Sequence, residues 1–161
     1  VMIAMALSCR PLLMIADEPT TALDVTTQAQ ILSLMQELKE ETGTSIMLVT
    51  HDLGVVAQAC QEVAIMYTGN VVEYAAVGEM FSDPLHPYTK GLMRSIPTIE
   101  ARRRGEMLHT IPGNVPMLKD MPTGCTFHNR CSEVMDICPK EYPPEFMPRE
   151  GHAVRCWRYA L

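Results

Sequence analysis

The stretch Leu12-Leu13-Met14-Ile15-Ala16-Asp17-Glu18-Pro19-Thr20-Thr21-Ala22-Leu23-Asp24 decides the fold. Five apolar residues in a row suit a strand buried on both faces of a parallel sheet. The run stops at two adjacent carboxylates, Asp17 and Glu18. Open α/β sheets place their ligands at the carboxyl ends of strands. Two acids there suit a site that holds a magnesium ion and activates a water. An ordinary strand ending in exposed acids is the plainer alternative.

Working outward, Val1 to Ser8 is rich in helix formers, and Arg10-Pro11 stops it. Pro19 breaks the strand ladder and Asp24 is a good N-cap. Val25 to Glu41 then reads as a helix, with Ile31, Leu34, Met35 and Leu38 at spacings of three and four and Gly43 at its end. Ile46 to Val49 is a second buried strand, running into Thr50-His51-Asp52. Asp52 caps a short helix carrying Leu53, Val56, Ala57 and Cys60. Val63 to Tyr67 and Asn70 to Tyr74 read as strands joined by a hairpin at Thr68-Gly69-Asn70. Val77 to Phe81 and His86 to Ile96 read as helices. This order predicts an α/β layer, a mostly parallel sheet with an antiparallel extension.

The 161 residues suffice for one domain with a core, or for a core domain plus an appendage. Nowhere do 18 apolar residues run together, so no membrane-spanning helix is expected. The opening residues lack a basic leader and are not expected to be a signal peptide. The chain starts without Met and in a helical pattern, so a longer chain with a preceding amino-terminal part is expected. The net charge of −6 is uneven: residues 1–98 hold 4 basic and 11 acidic side chains, residues 99–161 hold 9 and 8. Eight of the 12 prolines lie from Pro97 onward. This sets a boundary near residue 97, with domains expected at 1–96 and 97–161. Neither part is basic enough to suggest nucleic acid. The one basic run, Arg102-Arg103-Arg104, reads as a solvated linker face.

Apolar residues followed by Asp-Glu form a Walker B element. One carboxylate, Asp17, is expected to face a hydrated Mg2+ bound to nucleotide phosphates. Glu18 is expected to face the attacking water, as general base or by orienting it. With Pro19-Thr20-Thr21-Ala22-Leu23-Asp24, and a second strand ending in Thr50-His51-Asp52, the combination resembles the ATP-binding subunits of ABC transporters. The resemblance implies a partial P-loop NTPase-type sheet. It makes Thr21-Ala22-Leu23-Asp24 a D-loop, with Thr where Ser is usual and Asp24 reaching across an ATPase dimer. It makes His51 the switch histidine, contacting the γ-phosphate and catalytic together with Glu18. A lone strand-end His can equally be a surface residue, and Asp24 can be a helix cap at the same time. No G-x-x-x-x-G-K-[ST] loop, Q-loop or LSGGQ occurs in these residues. The chain alone is therefore expected to bind ATP poorly and to hydrolyse none.

Three later stretches narrow the resemblance: His86-Pro87-Tyr88-Thr89-Lys90-Gly91-Leu92, Ile111-Pro112-Gly113-Asn114-Val115-Pro116, and Pro122 to Cys131. They are similar to the carboxyl-terminal region of oligopeptide, dipeptide and nickel importer ATPases. The implied activity is ATP hydrolysis that energises import of peptides, or of nickel. The implied partners are membrane subunits, a paired ATPase subunit and, indirectly, an extracytoplasmic substrate-binding protein, with no nucleic acid. The implied location is peripheral, on the cytoplasmic face of the plasma (inner) membrane.

Cys125, Cys131, Cys138 and Cys156 follow the spacing C-x5-C-x6-C-x17-C. Four thiolates in a loop-rich segment can hold Zn2+ or a [4Fe–4S] cluster, and the wide gaps suit the larger cubane. Members of the subfamily with this cysteine pattern resemble iron–sulfur binders. His128 and His152 lie nearby and could replace a ligand, but exposure is the expected state of each. Cys9 and Cys60 sit in apolar helical patterns and read as buried thiols. Two other readings stay open: a non-transport ABC-type ATPase of chromosome maintenance or repair, and an iron–sulfur or zinc binding module on an ATPase scaffold.

Overall fold

The computed structural model describes residues 2–97 and 109–160. Arg102-Arg103-Arg104 therefore lies outside the described residues. The chain forms two compact units, residues 1–60 and 61–161.

In the first unit, helix α1 (Met2–Ser8) precedes strand β1 (Leu13–Asp17), helix α2 (Val25–Thr42), strand β2 (Ser45–Val49) and helix α3 (Leu53–Ala59). β1 and β2 pair in parallel, with Leu13 opposite Ser45 and Asp17 opposite Val49. Asp24 caps α2, accepting from the Thr26 and Thr27 amides, and Gly43 ends it at φ 69°. Asp52 caps α3 through the Gly54 and Val55 amides. Met14 and Ala16 pack with Leu7 and Met35 into a small core edged by Ile31, Leu38, Ile46 and Leu48.

Only one face of this pair is covered. Leu13 is 53% and Ile15 65% exposed, and Met47 and Val49 are exposed beside them. The expectation of a strand buried on both faces is corrected here. An apolar run specifies two faces fit for burial, but what covers each is set elsewhere in the chain. Cys9, expected to be a buried thiol, is exposed as well.

The second unit contains β3 (Glu62–Tyr67), β4 (Asn70–Ala76), α4 (Val77–Ser82), α5 (Pro87–Arg94), β5 (Phe146–Arg149) and β6 (His152–Val154), with short 3-10 turns between and after them. Its sheet is antiparallel, in the order β3-β4-β6-β5. The expected mostly parallel sheet is thus corrected: the parallel part is two strands, and β3 belongs to a second sheet. Thr68 and Gly69 make the tight turn, both at positive φ, and commit β3 to its hairpin partner. The far edge of β4 is taken by β6 from the proline-rich tail. Phe127 of the tail packs with Ile65, Tyr67, Val72, Ala75 and Met80, so these tail residues share the core of the hairpin. Arg130 fastens the segment further, donating to the Pro112 and Ile111 carbonyls and to the Tyr67 hydroxyl.

Candidate functional site

The first site grows from the end of β1. The ladder continues one step past Asp17, with the Glu18 amide donating to the Val49 carbonyl at 2.8 Å. Glu18 then takes φ 45°, a left-handed conformation that is unfavourable for a residue with a Cβ. The chain turns immediately, Thr21 N–H bonding back to the Glu18 carbonyl, and Ala22 is also at positive φ. Backbone strain is thus concentrated at the acid expected to do chemistry.

The turn brings Glu18 to His51, two residues past β2. His51 Nδ1 lies 2.8 Å from Glu18 Oε1, and Thr21 Oγ1 donates to Oε2 at 2.9 Å. The His51 hydrogen bond and then that of Thr21 hold the Glu18 carboxyl below its ordinary value of 4.5. It is therefore ionised at neutral pH. A carboxylate only accepts, so Nδ1 carries the proton of this pair. In a neutral ring Nε2 is then a lone pair, and a second donor, as a phosphate oxygen requires, exists only in the imidazolium. The side chains are open, His51 79% and Glu18 43% exposed. Their attraction contributes little to stability and leaves both available to a ligand.

Asp17 stands exposed at the end of β1, beside this pair. Asp24 is occupied as a cap. Its Oδ1 takes two backbone amides at 3.0 Å, and its Oδ2 takes Thr27 Oγ1 at 2.6 Å. The Thr27 hydroxyl and the capping amides hold its carboxyl below the usual range.

The second site lies in residues 61–161. Cys125, Cys131, Cys138 and Cys156 line one cavity, together with His86, Phe127, His128 and Glu133. All four thiols are free. Two sulfurs already accept backbone N–H bonds, Cys131 Sγ from Glu133 at 3.3 Å and Cys138 Sγ from Met135 at 3.4 Å. Burial raises the pKa of Cys125 and Cys131 and lifts that of Cys156 to about 11. Gly124 makes the approach possible. At φ +67° it lets Cys125 N–H reach the Cys138 carbonyl, and a Cβ there would lie 2.2 Å from that oxygen. Among the described residues, no three His, Cys, Asp or Glu side chains are arranged to hold a single metal ion.

Sequence reasoning missed a buried polar cluster in the same unit. Glu73, 1% exposed, accepts from Leu85 N–H at 2.7 Å and from His86 N–H at 2.9 Å. His152, fully buried, meets the same carboxylate through Nε2 at 2.7 Å, correcting its expected exposure. Its Nδ1 lies 3.7 Å from Glu79 Oε2. The available signal was a lone acid inside the apolar strand Val71-Val72-Glu73-Tyr74-Ala75. The bond from the Thr21 hydroxyl to Glu18 has no signal in the sequence beyond Thr standing where Ser is usual.

Comparison with known proteins fits the motifs. Residues 72–138 match the family model described as the oligopeptide/dipeptide transporter, C-terminal region. A putative peptide import ATP-binding protein of Brucella ovis is 54% identical over 161 residues, covering 98% of this chain and 48% of its own length. The oligopeptide transport ATP-binding protein AppD of Bacillus subtilis is 52% identical, covering 99% of this chain and 48% of its own. OppD of Escherichia coli is 53% identical, with 98% and 46% covered. The solved structure of CbiO1 from Clostridium perfringens, described as part of an ABC transporter complex, is 34% identical. It covers 50% of this chain and 32% of its own, with a TM-score of 0.47. The chain spans about half the length of the curated relatives it matches, and over that span it is similar to oligopeptide and peptide import ATP-binding proteins.

Proposed function

We propose that this chain supplies the Walker B and switch half of an ATP-hydrolysing subunit of an ABC importer for peptides, with nickel as the other cargo class. The observation that carries this is the 2.8 Å contact between Glu18 and His51 at the ends of two paired parallel strands. Asp17 holds the hydrated Mg2+, whose charge stabilises the phosphates. Glu18, ionised, accepts a proton from or orients the attacking water. His51 donates to the γ-phosphate once its ring can offer a second N–H, which places positive charge where the transition state gains negative charge. Asp24, in the D-loop, orders α2 and presents this loop to the opposite subunit of a dimer. Residues 1–96 then form half of a nucleotide-binding domain, and residues 97–161 the importer-specific region. Lacking a phosphate-binding loop, these 161 residues alone bind ATP weakly and do not turn it over.

The partners are membrane subunits, a paired ATPase subunit and, through them, a substrate-binding protein. None of the helices in the described residues is long and apolar enough to cross a membrane. Peripheral attachment at the cytoplasmic face is the matching location. The full-length subunit should therefore co-purify with integral membrane proteins and hydrolyse Mg-ATP faster when peptide and its binding protein are supplied. Turnover by a purely soluble assembly, indifferent to peptide, would favour a non-transport ATPase.

The four cysteines fit a [4Fe–4S] cluster. They line one cavity, they are unpaired, and two sulfurs receive backbone N–H bonds. When bound, the cluster supplies a cross-link between the Cys125–Cys138 loops and the end of β6. The protein's part is to exclude water through Phe127 and to present thiols that burial keeps neutral until metal binding displaces their protons to solvent. Iron and acid-labile sulfide analysis after anaerobic purification tests this, and a colourless, zinc-loaded protein would refute it.

A further inference from the structure

The acid at the end of β1 is held by two side chains, and only His51 has been given a part in the chemistry. Glu18 Oε1 faces His51, while Oε2 accepts from Thr21 Oγ1 at 2.9 Å. The Glu18 side chain is 43% exposed, and the terminal torsion of a glutamate is broad. A donor on one oxygen leaves the carboxylate plane free to swing about that contact. A donor on the other oxygen fixes the plane. The Thr21 hydroxyl is the donor of its pair, because an ionised carboxylate only accepts. Its place is set locally. Thr21 N–H bonds back to the Glu18 carbonyl at 3.1 Å, within the turn where Glu18 and Ala22 both take positive φ. The branched side chain of a threonine is stiff at χ1, which keeps the hydroxyl aimed at the acid three residues earlier. With one donor on each oxygen, the carboxylate still has lone pairs for a water.

We propose that Thr21 is a positioning residue for ATP hydrolysis, its hydroxyl fixing the plane of the Glu18 carboxylate so that a free lone pair points at the attacking water. The inference rests on the reading of Glu18 given above. Thr21 acts through Glu18 and is assigned no contact with the nucleotide. Its effect falls on rate because the reacting geometry is exacting: a misplacement of about 1 Å can cost about a hundredfold. Affinity for Mg-ATP is set by the groups that hold the phosphates and the magnesium, which the hydroxyl does not touch in this role.

The experiment uses the full-length subunit in its membrane complex, with Mg-ATP as the probe. Thr21→Val keeps the shape, the β-branch and the backbone bond to Glu18, and removes only the hydroxyl. Thr21→Ser keeps the hydroxyl and loses the methyl. In the Val variant kcat should fall about tenfold, the scale of one hydrogen bond to a charged group. KM for Mg-ATP and the unfolding midpoint should stay at their wild-type values, and the Ser variant should recover most of the loss. In a Glu18→Ala background, single-turnover hydrolysis should fall no further when Thr21→Val is added, because the acid that the hydroxyl orients is gone. Full turnover by the Val variant, a loss carried by KM or by a lowered unfolding midpoint, or a loss that Ser does not recover overturns the role of Thr21 and leaves Glu18 standing. So does an equal loss in the Glu18→Ala background, which would place the hydroxyl's action elsewhere, as at the paired subunit. Full turnover by Glu18→Ala alone overturns both.

Discussion

Two glutamate–histidine pairs in this protein have almost the same contact and opposite surroundings. Glu18 and His51 meet at 2.8 Å in the open, and Glu73 and His152 meet at 2.7 Å with neither side chain exposed. The buried pair is architecture. Its carboxylate ties together β4, the amides opening α5 and the tail strand β6, and nothing from solvent can reach it. The exposed pair stabilises little, yet it sits on strained backbone and at strand ends, beside an exposed carboxylate. Burial, more than contact distance, separates a residue that holds the fold from one free to do chemistry.

Breaking the buried pair should have the largest effect. Glu73→Ala leaves His152 and two amides without their acceptor and should cost about 3–5 kcal/mol, the usual penalty for breaking a buried ion pair. Urea unfolding of residues 61–161 within the chain would show it, and a loss under about 1 kcal/mol would mean the cluster is not structural. Acid is the next lever. A histidine held near pKa 4 in the fold and 6.5 outside it contributes fully above pH 6.5. That contribution is lost as pH falls toward 4, about 3 kcal/mol for His86. His86→Asn should flatten the stability profile across this window. Smallest is the exposed pair. The depressed carboxyl of Glu18 means that any contribution of the pair is present above pH 4.5 and lost below it. Glu18→Gln should leave the melting temperature essentially unchanged, since an exposed pair contributes little.

Local signals in the sequence were read reliably because they are short-range. The caps at Asp24 and Asp52, the stop at Gly43 and the hairpin at Thr68-Gly69 each depend on neighbours within four residues. Glu18 and His51 come together because both follow strands whose register is fixed by pairing, and both strands announce themselves as apolar runs. The buried cluster was not, since Glu73 meets partners 12, 13 and 79 residues away. The tail strands were missed for a related reason. Phe146–Arg149 contains Pro148, a poor strand signal, and β6 has three residues, so β6 exists through pairing with β4, and β5 through pairing with β6. The apolar run of β1 showed which residues favour burial, not which face is covered.

The most direct test of the central claim is Glu18→Gln in the full-length subunit, assayed for both Mg-ATP turnover and thermal unfolding. Turnover should fall by about a hundredfold or more, the range for loss of a general base, while the unfolding midpoint stays at the wild-type value. Undiminished turnover, or a loss of activity that merely tracks a loss of stability, would contradict the assignment of Glu18 and His51 as the chemical pair.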